Sequence, residues 1–153
     1  MSLHEKLAAL EGTWKGTNRL NLAWLPDPIF ESESTAIVAL RAAGQGLGIA
    51  YTWEYESRSQ EGVLLLVGAK DSDAVSAAWT DSWHSAHTLM NCEGTVNENG
   101  VVNIKGTYSV PDHPDWGWRT EIVPGGDKFK YLMFNVSPEG EETWAVETEF
   151  TRQ

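Results

Sequence analysis

Cysteine is almost missing from this chain: of 153 residues, only Cys92 carries a thiol. No intramolecular disulfide is open to it, and a lone thiol of this kind reads as a small buried apolar group rather than a nucleophile. Basic residues are scarce as well, 11 Lys and Arg against 22 Asp and Glu, for a net charge of −11. The cations stand singly along the chain, so a phosphate backbone or an acidic leaflet would meet repulsion. Nucleic-acid and membrane-surface partners are therefore not expected. Long apolar runs are absent too. The longest, Val63 to Val67, is far too short to span a bilayer, and no basic stretch followed by an apolar one opens the chain. A soluble cytoplasmic protein is the expectation. The sequence also lacks G-x-S-x-G, a Walker loop, C-x-x-C, and a G-x-G-x-x-G between strand and helix. Gly44-Gln-Gly46-Leu-Gly48 opens a strand instead, and reads as a turn.

What the chain does have is tryptophan, at positions 14, 24, 53, 79, 83, 116, 118 and 144. Each is a large apolar body with one N–H that needs a partner or water. Two readings are open, a Trp-rich core and a Trp-lined ligand cavity.

Hydrophobic patterning predicts one short helix followed by strands. Ser2-Leu-His-Glu5 is a capping-box pattern, Leu3, Leu7 and Leu10 follow at helical spacing, and Gly12 stops the helix. Ten strands are predicted near 13–22, 33–41, 48–56, 62–69, 74–82, 86–95, 101–109, 116–123, 128–136 and 143–151, although 34–43 also suits a helix. Turn signals separate them, among them Pro26-Asp-Pro28, Arg58 to Gly62, and Asn97-Glu-Asn-Gly100. Such short connections favour antiparallel neighbours. Ile49, Tyr51, Trp53 and Tyr55 share one face, as do Val102, Ile104, Gly106 and Tyr108, and as do Trp144, Val146, Thr148 and Phe150, with mostly polar residues opposite. The expectation is an all-β fold, a single domain over 1–153. Residues 1–11 form a helical plug, and 12–153 form an antiparallel up-and-down barrel of about ten strands. A two-sheet sandwich is the alternative.

Leu10-Glu-Gly-Thr-Trp14-Lys-Gly16, a short helix leading into G-x-W, resembles the calycins, the superfamily of lipocalins and fatty-acid-binding proteins. That resemblance implies that Trp14 packs across the closed end of the barrel and that Arg152 stacks on it. Ala78-Trp-Thr-Asp81-Ser82, Glu93-Gly94-Thr95 and Gly140-Glu-Glu142…Glu147…Arg152 are similar to a bacterial lipocalin-like family of unknown function. Nitrobindin-like haem-binding barrels share the G-x-W entry, and their haem needs a proximal histidine.

AWTDSWHSAH, residues 78–87, concentrates the polar chemistry. On a strand, Trp79, Asp81 and Trp83 share a face, while His84 falls opposite unless a turn intervenes. His84 and His87 lack third and fourth metal ligands at motif spacing, Cys92 and His113 being the remaining candidates, and no metal is expected. An inward Asp81 needs a cation, with Arg119 and Lys105 as candidates, or else several hydrogen-bond donors. It either fixes the barrel internally, anchors a ligand, or acts as a general acid or base. Strand parity sets Arg119 opposite Trp116 and Trp118, so Arg119 reaches the interior only if a bulge at Gly117 shifts the register.

The leading functional reading is non-covalent binding of a small hydrophobic or amphipathic molecule inside the barrel, without a cofactor. Its candidate residues are Tyr51, Trp53, Tyr55, Trp79, Trp83, Tyr108, Trp118 and Tyr131 as aromatic walls, with Asp81 and Arg119 as polar anchors. The alternatives are a cofactor-free enzyme using Asp81 in the same cavity, a haem-binding barrel, and a filled barrel that serves as an interaction or homodimerisation module.

Overall fold

The computed structural model describes residues 3–153 and is a closed ten-stranded antiparallel barrel. Helix α1 (Glu5–Ala8) leads into β1 (Gly12–Asn21), β2 (Ile29–Arg41) and β3 (Gly46–Tyr55). They are followed by β4 (Arg58–Gly68), β5 (Ala74–Asp81), β6 (Met90–Val96) and β7 (Val102–Val110). β8 (His113–Pro124), β9 (Lys128–Val136) and β10 (Glu142–Arg152) complete the sheet, and β10 closes it by pairing with β1. Every strand pairs with its sequence neighbours, so no edge is left unpaired.

The helix is shorter than its leucine spacing suggests. The predicted Ser2 cap lies outside the described residues, and His4 caps instead, its Nδ1 accepting from the Lys6 N–H at 3.1 Å. Leu3, Leu7 and Leu10 are nonetheless all buried, because the helix lies across one end of the barrel. Residues 34–43, where helix and strand both fit, lie almost wholly in β2, and Ala42–Gly44 form a tight left-handed turn at φ 49°, 55° and 85°. The turn expected between Arg58 and Gly62 falls earlier. Glu56 and Ser57, at φ 49° and 61°, form the tight β3–β4 hairpin, and Arg58 to Gly62 continue as strand. Two left-handed residues match the twist of flanking strands, which is why so short a loop works even without glycine.

Inward and outward faces alternate as the pleat requires, with one correction. Trp144 is not on the face of Val146, Thr148 and Phe150. A bulge between Trp144 and Val146 turns its indole outward, under the Arg19 guanidinium at 5.4 Å, and buries both Ala145 and Val146. The outer face of β2 and β4 exposes Ile37, Val63 and Leu65.

The two barrel ends differ. One is sealed. Trp14 donates its Nε1–H to the Leu10 carbonyl at 2.9 Å and meets Phe129 edge-on at 4.8 Å, with Phe150 stacked behind. The Arg152 guanidinium lies 4.3 Å from the Trp14 ring and donates to the carbonyls of Ala9 (2.6 Å) and Glu11 (2.9 Å). The contact implied by the calycin resemblance is present in full. The opposite end carries the two longest connections, 22–28 and 82–89, and stays open.

Candidate functional site

Asp81 ends β5 and organises the open end. Only 1% of its surface is exposed, and among the described residues no cation pairs with it. Its Oδ2 accepts from the Tyr51 hydroxyl at 2.6 Å and the Trp53 Nε1–H at 3.2 Å; its Oδ1 accepts from the backbone N–H groups of Trp83 (2.8 Å) and His84 (2.9 Å). Four donors replace the cation that the sequence suggested. Trp79 fixes the direction of the network. An indole N–H can only donate, and it donates to the Tyr51 oxygen at 3.0 Å, so the Tyr51 proton points to Asp81. Burial and the neighbouring Tyr131 and Asp81 push the Tyr51 phenol well above its ordinary range, which keeps that proton in place.

Register explains how Tyr51 reaches Asp81. Tyr51 pairs with Gly62 and Gly62 with Asp81, so the three stand abreast on β3, β4 and β5. A Cβ on Gly62 would overlap the Tyr51 ring; its absence lets the phenol lie across β4 to the carboxylate.

The backbone then winds around Asp81. Ser85 Oγ accepts from the Asp81 N–H at 2.9 Å, and Thr88 bonds back to the Ser85 carbonyl. This is the turn on which the side of His84 depended, and it brings the ring to the same side as Trp79 and Trp83. Its ring stacks on Trp53 at 5.2 Å and 22°, lies 5.2 Å from Trp118, and meets Trp83 edge-on at 4.9 Å. Desolvation between these rings lowers the His84 pKa to about 4, against a weaker opposing pull from Asp81.

Beside this cluster lies a cleft of about 710 Å³ between the 82–89 loop and strands β7, β8 and β9. Trp79, Trp83, Trp118, Tyr108 and Met90 line it, and Trp24 and Leu89 flank it, 74% and 64% exposed. Trp79 and Trp118 stack almost parallel, 5.3 Å apart at 10°. Tyr108 donates to Asn135 Oδ1 at 2.7 Å, and Thr107, Ser109 and Asp115 add polar groups. The Trp118 Nε1–H is buried without a partner.

The candidates thus divide. Trp79, Trp83, Tyr108 and Trp118 line the cleft. Tyr51, Trp53, Asp81 and Tyr131 instead surround an internal void of about 10 Å³, shared with His84 and the Asn18–Thr148 pair. That is the space of about one water, and the Tyr131 hydroxyl aims no hydrogen bond at any protein group there. Tyr55 packs against Trp83 and Phe30. Arg119 is a correction: no bulge occurs at Gly117, and its guanidinium lies outside, over Phe134 at 4.1 Å and bound to Glu142 at 2.6 Å. Lys105, its register partner, is exposed on that same outer face. Among the described residues, no three His, Cys, Asp or Glu side chains gather to hold a metal. Cys92 is buried, and burial pushes its thiol up to about 11.

Sequence reasoning missed Trp24, Leu89 and Asn135. Trp24 and Leu89 lie in loops that carry no periodicity, although an isolated indole beside Pro26 was a visible signal.

Comparison with known proteins adds a family and a fold. The family described as "Protein of unknown function (DUF1579)" matches residues 1–152. The chain belongs to it. No curated protein matches. Among solved structures, Rv2717c from M. tuberculosis shares the fold, with a TM-score of 0.68 over 99% of each chain at 13% identity. The likeness is one of architecture.

Proposed function

We propose that this family member binds a small, largely aromatic molecule in the cleft at the open end of a calycin-like barrel. One observation carries the reading: an open space of about 710 Å³ walled by indoles, one of which, Trp118, keeps a buried N–H free of any protein acceptor. The void around Asp81 is too small for anything but water, so Tyr51, Trp53, Tyr131 and Asp81 support the site from behind.

The rival readings find less support. Asp81 spends both oxygens on four internal donors and borders no cleft, which leaves a general acid or base at that position without a substrate. Haem carries two carboxylates, yet no Lys or Arg lines the cleft, and the histidine that does is packed against Trp53 and Trp118.

Titration with N-phenyl-1-naphthylamine, a neutral fluorescent ring system, tests the proposal. Saturable binding is expected, weakened about tenfold or more in Trp118→Leu. No binding by fluorescence and no thermal shift across a panel of neutral aromatic probes would overturn it.

A further inference from the structure

We propose that the open-end cleft selects an aromatic cation, a planar ring system bearing an ammonium group, over neutral and anionic rings of the same shape. This rests on reading the cleft as a binding site and adds the charge of its occupant.

Of the fifteen residues that line the cleft, none is Lys or Arg, and one, Asp115, is acidic. A carboxylate or sulfonate taken into this space would lose water and meet no counter-charge, the most costly kind of burial. Ring chemistry points the same way. Four of the lining side chains are tryptophans and a fifth is Tyr108. Indole faces carry the strongest negative quadrupole among the side chains and attract ammonium groups most when solvent is excluded. Among the polar groups, the Tyr108 hydroxyl spends its proton on Asn135 and keeps only its lone pairs, which suit a cation.

The surroundings do not reverse this. Arg119 is held on the outer face by Glu142 and Glu121, and Lys105 stands beside it there. His84, desolvated between rings, is neutral near pH 7 and sets no positive charge against an incoming cation. The net charge of −11 further concentrates cations near the surface.

Calorimetric titration of the intact protein with three matched naphthalenes tests the inference: (2-naphthylmethyl)trimethylammonium, 2-naphthylmethanol and 2-naphthoate, each at low and high salt. The ammonium compound is expected to bind about fivefold or more tighter than the alcohol, and the carboxylate weakest of the three. Part of the preference should persist at high salt, and Asp115→Asn should narrow it. Equal affinity of cation and alcohol, or a tighter carboxylate, overturns the inference and leaves the cleft as a site for neutral rings. A preference abolished by salt and indifferent to Asp115→Asn belongs to the overall charge and overturns it too. Failure of all three, together with N-phenyl-1-naphthylamine, removes the binding reading itself.

Discussion

Trp14 and Trp118 are both buried tryptophans at the ends of one barrel, and they are treated in opposite ways. Trp14 has its N–H bonded to Leu10, its face covered by Arg152 and its edge set against Phe129. Trp118 has one stacked neighbour in Trp79, an unpartnered N–H, and a cleft beside it. The sealed end pairs its indole N–H, and toward the open end two buried polar groups, the Trp118 N–H and the Tyr131 hydroxyl, have no partner among the described residues. The end whose polar groups are paired is expected to carry the larger share of stability. The ligand site we propose lies where they are not, in keeping with binding regions being drawn from the less stable parts of a fold.

Substitutions at each end should separate these roles. Trp14→Ala removes a fully buried indole and the surface on which Arg152 rests, so it should cost about 3–5 kcal/mol in chemical denaturation, with probe affinity per folded molecule little altered. Asp81→Asn replaces two acceptor oxygens by one and sets an amide against donors. About 2–3 kcal/mol of stability should be lost, and the 82–89 loop should exchange its amide hydrogens faster. Equal exchange in wild type and variant would show that the carboxylate does not hold the loop.

His84 adds a pH dependence to the open end. Folding holds its pKa near 4, below the ordinary 6.5, so as pH falls the unfolded chain takes up this proton first. The contribution is complete above pH 6.5, is lost progressively toward pH 4, and levels off below that, for a total of about 3 kcal/mol. Denaturation midpoints of wild type and His84→Gln across this range should show the difference in slope. Parallel curves would mean that the ring protonates freely. Arg119→Gln is the smallest test. Its ion pairs with Glu142 and Glu121 lie on the outer face, so stability should change by less than about 1 kcal/mol and probe binding not at all.

Much of the sealed end was legible in the sequence, and less of the open end. Alternation along 48–56 and 101–109 set the inward rows, because one buried and one wet face leaves a period of two in the residues. The position of Trp14 over the barrel end and of Arg152 upon it was also legible, through the family resemblance. Asp81 could be assigned to the interior by the company of Val75, Ala77 and Trp79. The rest depended on events that break periodicity: a bulge that sends Trp144 outward, a turn that brings His84 inward, and a left-handed pair at Glu56–Ser57 ahead of the turn expected at Arg58 to Gly62. Arg119 shows the reverse. Its parity pointed outward from the start, and it stood among the ligand candidates only on the condition of a bulge at Gly117, which does not occur. Arg58 to Gly62 looked like a turn because of the glycine, whose purpose is spatial rather than conformational.

That glycine binds three positions into one hereditary unit. The phenol at 51 fills the volume that a side chain at 62 would claim, and the carboxylate at 81 is reached only through that vacancy. A lineage that acquires even a methyl group at position 62 must surrender the ring at 51 and find the acid a new proton donor, so changes at the three sites should travel together across relatives.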